Sequence, residues 1–401
     1  MSWDRLKFEE LYLVPSRNGL TKPSRIRGKG FKFINMGELF AYDRIKNPDM
    51  ALVPLTDKEK MTHSIEENDL LFARQSIVLS GAGKCSIVKE VDELTVYDSH
   101  IIRVRLNGEL CNPDFYFYYF KTPYCNIKSL VQQGVQAGIR GKELAKLEID
   151  YPPISTQKRI ADILSAYDDL IENNLKRIKL LEQAAQNIYK EWFVNLRFPG
   201  HETTSINEET GLPEGWEEQT AFDLFDIKGG SQPPKSKWSD ELKEGYVRMV
   251  QIRDYKTDTY IAYVKDTNKL RKCNKVDVMI ARYGASVGRI CWGIEGAYNV
   301  ALAKIIPYDK AYLEYIRWYV KSYYFQESLV SMTQRAAQDG FNKDTFKSLD
   351  VIIPPKEIVQ KFGDIVYPML KQMLLLEEQN QKLKAARDIL LPRLMNRTIE
   401  V

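Results

Sequence analysis

Histidine is scarce in this chain of 401 residues: three occur, His63, His100 and His201, far apart and without a serine or cysteine motif beside them. That spacing offers no arrangement for nucleophilic catalysis. The five cysteines (Cys85, Cys111, Cys125, Cys273, Cys291) are equally scattered, so neither a zinc site nor a disulfide framework is supported. Long apolar runs are missing as well. The stretch from Val276 to Ile280 falls far short of the ~20 residues a membrane span needs, and the opening MSWDRLKFEE has no apolar signal core. These absences lead us to expect a cytoplasmic protein without membrane contact.

Familiar reaction motifs are incomplete. Ser80-Gly-Ala-Gly-Lys84-Cys85 lacks the first glycine and the final hydroxyl of a phosphate loop and reads as a tight turn. Asn112-Pro113-Asp114-Phe115 resembles the Asn-Pro-Pro-aromatic motif of amino-methyltransferases, but its second proline is absent and no glycine-rich cofactor loop precedes it; a helix-initiating turn accounts for it. Asp226 with Glu241-Leu-Lys243 formally fits a metal-dependent nuclease, yet such triplets are common in polar loops. We expect no catalytic centre, no cofactor and no metal in this chain.

What is present is the balance of a folded protein, 44% hydrophobic and 28% charged, with a net charge of +4 that is compatible with a polyanionic partner but does not establish one. The length implies two or three compact units. An internal repeat arranges them. GIRGKELAKLEIDYPP from Gly138 is answered by GFNKDTFKSLDVIIPP from Gly340, with Leu147 and Leu349, Ile149 and Val351, and the two Pro-Pro pairs in register. Upstream, Asp69 to Arg74 is answered by Asp277 to Arg282, and a Gly-rich turn follows each. FKFINMGEL from Phe31 resembles VRMVQIRDY from Val247, and Trp3 and Trp216 open the two halves. Short β-branched runs (Ser76 to Leu79, His100 to Leu106, Val276 to Ile280, Ala301 to Ile306) mixed with helical aromatic segments (Phe115 to Phe120, Tyr312 to Tyr324) predict an α/β globule in each half.

After Pro152-Pro153 the pattern turns helical, with Ser155 or Thr156 available as N-cap. Apolar residues including Leu164, Ile171, Ile178 and Ile188 keep three- and four-residue steps to Trp192, interrupted by Asn174, which predicts a helix from about 156 to 195, roughly 60 Å long. After Pro354-Pro355 a similar seam runs through Phe362, Ile365, Met369, Leu376, Leu383, Ala386 and Leu390, with Gln372 and Gln379 as polar interruptions and a local kink expected at Pro368. The expected fold is therefore α+β: two similar α/β domains separated by two long antiparallel coiled-coil helices in a pseudo-twofold arrangement. Its parts are residues 1–151 and 201–353 as recognition domains, and 152–200 and 354–401 as the helices.

Between Leu11 and Gly37 no acidic residue occurs, while Arg17, Lys22, Arg25, Arg27, Lys29 and Lys32 do, a composition suited to a mobile basic loop against phosphates. In the second half, Ser231, Gln232, Lys235, Lys237 and Trp238 combine hydroxyl, amide, cationic and aromatic groups of the kind base-edge and backbone contacts use; a plain surface loop would share that composition. Arg74 and Arg282 recur at matched positions, equally consistent with a scaffold salt bridge or a phosphate contact. Gln132, Gln133, Gln334 and Arg335 could make bidentate contacts to adenine or guanine.

The run Pro152-Pro-Ile-Ser-Thr-Gln157-Lys-Arg-Ile-Ala-Asp-Ile-Leu164, the segment AAQNIYKEWFV from Ala184, the restart GLPEGW from Gly211 and the ending RDILLPRL from Arg387 together resemble the specificity subunit of Type I restriction-modification enzymes, across nearly the whole chain. The second copy departs where Lys356-Glu-Ile-Val-Gln360 weakens the expected Glu-Gln pair. The resemblance implies two target-recognition domains, each reading half of a split site in double-stranded DNA, with the long helices setting the gap and docking two methyltransferase subunits. Restriction subunits would join them, and S-adenosylmethionine, ATP and magnesium would belong to those partners. A coiled-coil adaptor for proteins, and a stand-alone methyltransferase or nuclease, are the rivals; salt-independent failure to bind DNA would favour the first, unaided cofactor binding or cutting the second.

Overall fold

The computed structural model describes residues 3–132, 137–335 and 340–401, with the side chains of Gln334 and Arg335 outside that description. The chain divides into two compact units, Met1–Glu172 with Gln381–Val401, and Asn173–Asn380. Each joins one globule to part of both long helices.

In the first unit a five-stranded sheet runs in the order Tyr12–Asn18, Ile101–Leu106, Leu70–Ala73, Cys85–Glu90, Arg44–Lys46. Its central strands read as continuous apolar runs because both faces are covered. Ile102 and Val104 face an aromatic core, whereas Ile101 and Leu71 face a second cluster with Ile34, Val88 and Tyr97. The aromatic core is built around the helix Pro113–Tyr119, started by Asn112, whose side chain accepts from the Phe115 amide at 2.9 Å, with proline in the first turn. All five aromatic residues from Phe115 to Tyr119 are buried. Terminal strands Asp4–Lys7 and Glu148–Tyr151 pair antiparallel and close the globule.

The second unit repeats this plan. A sheet ordered Phe225–Gly229, Leu302–Pro307, Met279–Ala281, Ile290–Cys291 carries the aromatic helix Leu313–Lys321, and Glu217–Thr220 pairs with Asp350–Ile353. The duplication extends to single hydrogen bonds. The Arg74 amide donates to the His100 carbonyl at 2.7 Å, and the Arg282 amide to Ala301 at 2.9 Å. The Tyr97 hydroxyl donates to the Arg17 carbonyl at 3.2 Å, and Tyr298 to Lys228 at 2.9 Å. Gly19 and Gly230 each sit where a Cβ would lie 2.1 or 2.2 Å from a carbonyl oxygen of the neighbouring strand end, so both copies need glycine there.

The first long helix spans Ile154–Tyr189 and continues as a π-helical turn, Lys190–Val194; the second spans Lys356–Met395 and continues through Pro368. Ser155 and Thr156 lie inside the first turn rather than capping it, because helical geometry begins directly after Pro153. The two helices run antiparallel within each unit. In the first, Ile160 and Leu164 share a core with Leu394 and Met395, and Asp168 pairs with Arg387. In the second, Asn174 donates to the Asn380 side chain at 2.9 Å, and Tyr189 packs on Phe362 with ring centres 6.3 Å apart.

Leu164, Ile171, Phe362 and Leu376 are buried in this seam, and Ile178, Ile188, Met369 and Leu383 half-buried. Ile365, expected in the seam, is 40% exposed; Val366, Leu370 and Met373 take the core positions. A strict heptad misplaces them because a straight α-helix drifts by ~20° per heptad, and this stretch follows the globule's core. The polar residue buried in the second helix is Asn380; Gln372 and Gln379 are exposed.

Candidate nucleic-acid interface

In the first unit the basic segment is tied down rather than mobile. Ser24–Ile26 forms a 3-10 turn, and the Gly28 amide donates to the Leu52 carbonyl at 2.9 Å. Half of its charge is spent internally. Lys22 pairs with Glu59 at 2.9 Å, and Lys32 with Glu93 at 2.6 Å and Asp92 at 3.3 Å. Arg27 donates to the Lys22 carbonyl and the Asn35 side chain and lies 5.1 Å over the Phe33 ring. Arg17, Arg25 and Lys29 are exposed and have no carboxylate partner among the described residues.

Arg74 donates to the Ser99 carbonyl at 3.2 Å, and no salt bridge to it occurs among the described residues. It lines a cleft of about 610 Å³ with Ser16, Asn18, Arg140, Lys142 and Lys146, and with Glu9 and Glu143, so that its cations outnumber its carboxylates. Four cations and two short polar side chains on one concave surface suit a phosphate backbone. Sequence reasoning missed Arg140, Lys142 and Lys146 because they lie inside the repeat window used to establish the duplication. The signal was there: their counterparts by register are Asn342, Asp344 and Ser348, so these cations are not scaffold. Gln132 is exposed beside this region and exchanges backbone hydrogen bonds with Gly138 at 2.8 and 3.0 Å; Gln133 lies outside the described residues.

In the second unit, two of the loop candidates serve the scaffold. The Trp238 indole donates to the Pro233 carbonyl at 3.0 Å and packs with Met249 and Val264, and the Ser231 hydroxyl accepts from the Arg271 amide at 3.0 Å. Gln232, Lys235 and Lys237 remain exposed, without side-chain hydrogen bonds among the described residues. Arg282 stacks 4.9 Å over Tyr283 with its Nε buried and unbonded. Gln334 and Arg335 end the helix Tyr323–Arg335, their side chains outside the described set. The register position of the first unit's cleft is occupied here by ion pairs, Lys347 with Asp344 at 2.8 Å and Lys343 with Asp226 at 3.3 Å. A cleft of about 420 Å³ lies elsewhere, lined by Lys256, Ser286, Arg289, Lys321 and Gln326.

Asp226 is ion-paired and the cysteines are buried. The Asp226 carboxylate, considered above for metal chemistry, is engaged by Lys343. No group of His, Cys, Asp or Glu that could hold a metal occurs among the described residues. All five cysteines are buried, and burial pushes the thiols of Cys111 up to about 12 and of Cys273 and Cys291 up to about 11, so these remain protonated and poor nucleophiles. No helix of the described residues is long and apolar enough to cross a membrane.

The family described as Type I restriction modification DNA specificity domain matches residues 10–183 and again 213–385. The chain is similar to the Type I restriction enzyme MjaIX specificity subunit of Methanocaldococcus jannaschii, 25% identical over 297 residues, covering 70% of this chain and 68% of that one. It is likewise similar to the HindI specificity subunit of Haemophilus influenzae, 23% identical over 408 residues, covering 83% and 87%. Among solved structures, the S subunit of a Type I restriction-modification system from M. genitalium shares the fold, with a TM-score of 0.61, 16% identity, and 98% and 96% of the two chains covered. This chain belongs to the Type I restriction-modification specificity family and carries its DNA specificity domain twice.

Proposed function

We propose that the chain is the non-catalytic specificity subunit of a Type I complex in the cytoplasm. Each domain reads one half of a split double-stranded target, and the long helices set the gap between the halves. One observation carries this reading: a single backbone design occurs twice, down to matched hydrogen bonds, but its two copies present different cationic and polar surfaces. Two readers of different half-sites must share a scaffold and differ where bases and phosphates are met.

Partner subunits supply the chemistry in this proposal: two methyltransferase subunits and the restriction subunits, which bring S-adenosylmethionine, ATP and magnesium. In this proposal the partners dock along the long helices, where Leu170, Leu175, Leu180 and Val194 on the first and Leu375 and Ile389 on the second are each more than half exposed, spaced singly around the helices. Co-expression with a methyltransferase subunit of the same family of complexes, followed by sequencing of modified adenines, should reveal one split motif that vanishes when this chain is omitted. Modification without this chain would refute the assignment.

A further inference from the structure

One buried cation in the first unit has no hydrogen-bond or ion-pair partner among the described residues, although its counterpart in the second unit does. Arg103 lies on the central strand Ile101–Leu106, directly opposite Arg17 on the edge strand Tyr12–Asn18. Residues facing each other across an antiparallel pair project from the same side of the sheet, about 5 Å apart at Cβ, where like charges repel. Arg103 is 5% exposed, its Nε is buried and unbonded, and no ion pair or hydrogen bond reaches its guanidinium among the described residues.

The acid close enough to feel its charge, Asp69, is hydrogen-bonded to a different arginine. Asp69 accepts from Arg105 Nε and Nη2, both at 2.8 Å, and from the Glu66 amide at 2.8 Å. In the second unit Lys304 holds the position of Arg103 and faces Lys228. There Ile306 replaces Arg105, which leaves the matching acid, Asp277, free to pair with Lys304 at 2.8 Å. The same strand position is thus neutralised in one copy and left charged in the other. Further positive charge converges on the first: His63 is held below its usual range by burial and then by Arg17, with Arg103 and Lys22 adding to the effect and Glu59 opposing it.

We propose that Arg103 and Arg17 form a clamp for one tetrahedral phosphate, a backbone phosphate of the target duplex, and that the second unit has no equivalent. Two guanidinium groups offer the paired N–H donors that phosphate oxygens accept in bidentate fashion. An anion between them removes the mutual repulsion and supplies the missing partner of a buried charge. The contact fixes register on the duplex and carries no base information. This rests on the DNA-reading function proposed above.

Two measurements on the full chain separate the clamp from that function. In duplex binding, Arg103→Met should weaken matched and mismatched targets alike and make the slope of log affinity against log salt shallower by about one, while Lys304→Met leaves the slope unchanged. Because it removes an unpaired buried charge, Arg103→Met should also raise the thermal midpoint, whereas Lys304→Met, which strands Asp277, should lower it. Independently of DNA, sulfate at constant ionic strength should raise the pKa of the His63 ring, followed by NMR, in the parent and not in Arg103→Met. An unmoved His63, or an unchanged salt slope in Arg103→Met, overturns the clamp even if DNA binds. If the parent fails to bind DNA while His63 still responds to sulfate, the duplex reading falls and the site takes a free phosphate instead.

Discussion

The two units solve the same packing problem alike and the surface problem differently. Both cover a sheet with a helix whose aromatic residues are buried, close with an antiparallel pair of terminal strands, and direct a tyrosine hydroxyl to the terminal strand, Tyr116 to the Asp150 carbonyl and Tyr315 to that of Ile352. Their ionic surfaces share little. In the first unit Arg140, Lys142 and Lys146 converge with Arg74, whereas the second places Asn342, Asp344 and Ser348 at those positions and pairs its lysines with acids. A duplicated scaffold therefore constrains the interior, where a misplaced methylene costs stability, and leaves the rim free to diverge.

The most drastic way to probe the comparison leaves both surfaces intact. Lengthening both long helices by whole heptads should change the nonspecific gap of the methylated motif without changing the bases on either side, as adenine mapping would show. Next in size, reversing charge in the first unit's cleft with Arg140→Glu and Lys142→Glu should cost roughly a hundredfold in duplex affinity near physiological salt. The register-matched changes Asn342→Glu and Asp344→Lys in the second unit should alter it severalfold at most, so equal losses would break the asymmetry.

Stability differences should be smaller. Asn174→Leu removes the buried bond to Asn380 and should cost about 1–3 kcal/mol in denaturant unfolding. Adding Asn380→Leu should loosen the helix register further, since a buried polar pair fixes alignment more than it adds stability. Smallest is a pH effect confined to the first unit. The folded His63 ring takes up its proton below its usual 6.5 because burial and Arg17 oppose the charge. As pH falls through 6.5 the unfolded chain therefore binds more protons, and stability declines until the folded ring is also protonated. His63→Gln should flatten the thermal midpoint between about pH 5 and 7, and an unchanged slope would show the ring to be uncoupled.

Much of the architecture was legible because duplication leaves a record in the sequence. The Pro-Pro boundaries, the paired Asp-to-Arg strands and the long seams all lie where regular elements begin and repeat. Helix faces were harder to read: Ile365 satisfies a heptad as well as Val366 does, and only packing on the globule decides between them. The candidate interface was least legible, since charge composition does not say which cations are already paired. Lys22, Arg27 and Lys32 look as free in the sequence as Arg25 and Lys29, yet their partners Glu59, Asp98, Asp92 and Glu93 come from distant segments. Arg103 is illegible for the opposite reason: nothing in the run His100 to Leu106 marks it, and its unpaired state among the described residues emerges only from the register that places Arg17 opposite and gives the Asp69 hydrogen bonds to Arg105.

The division of labour between the copies can be tested by exchanging the segment Gln232 to Trp238 for that of another family member and mapping methylated adenines beside the parent chain. One half of the split motif should change while the other half and the gap stay fixed. A change in both halves, or a motif with no split, would contradict the account.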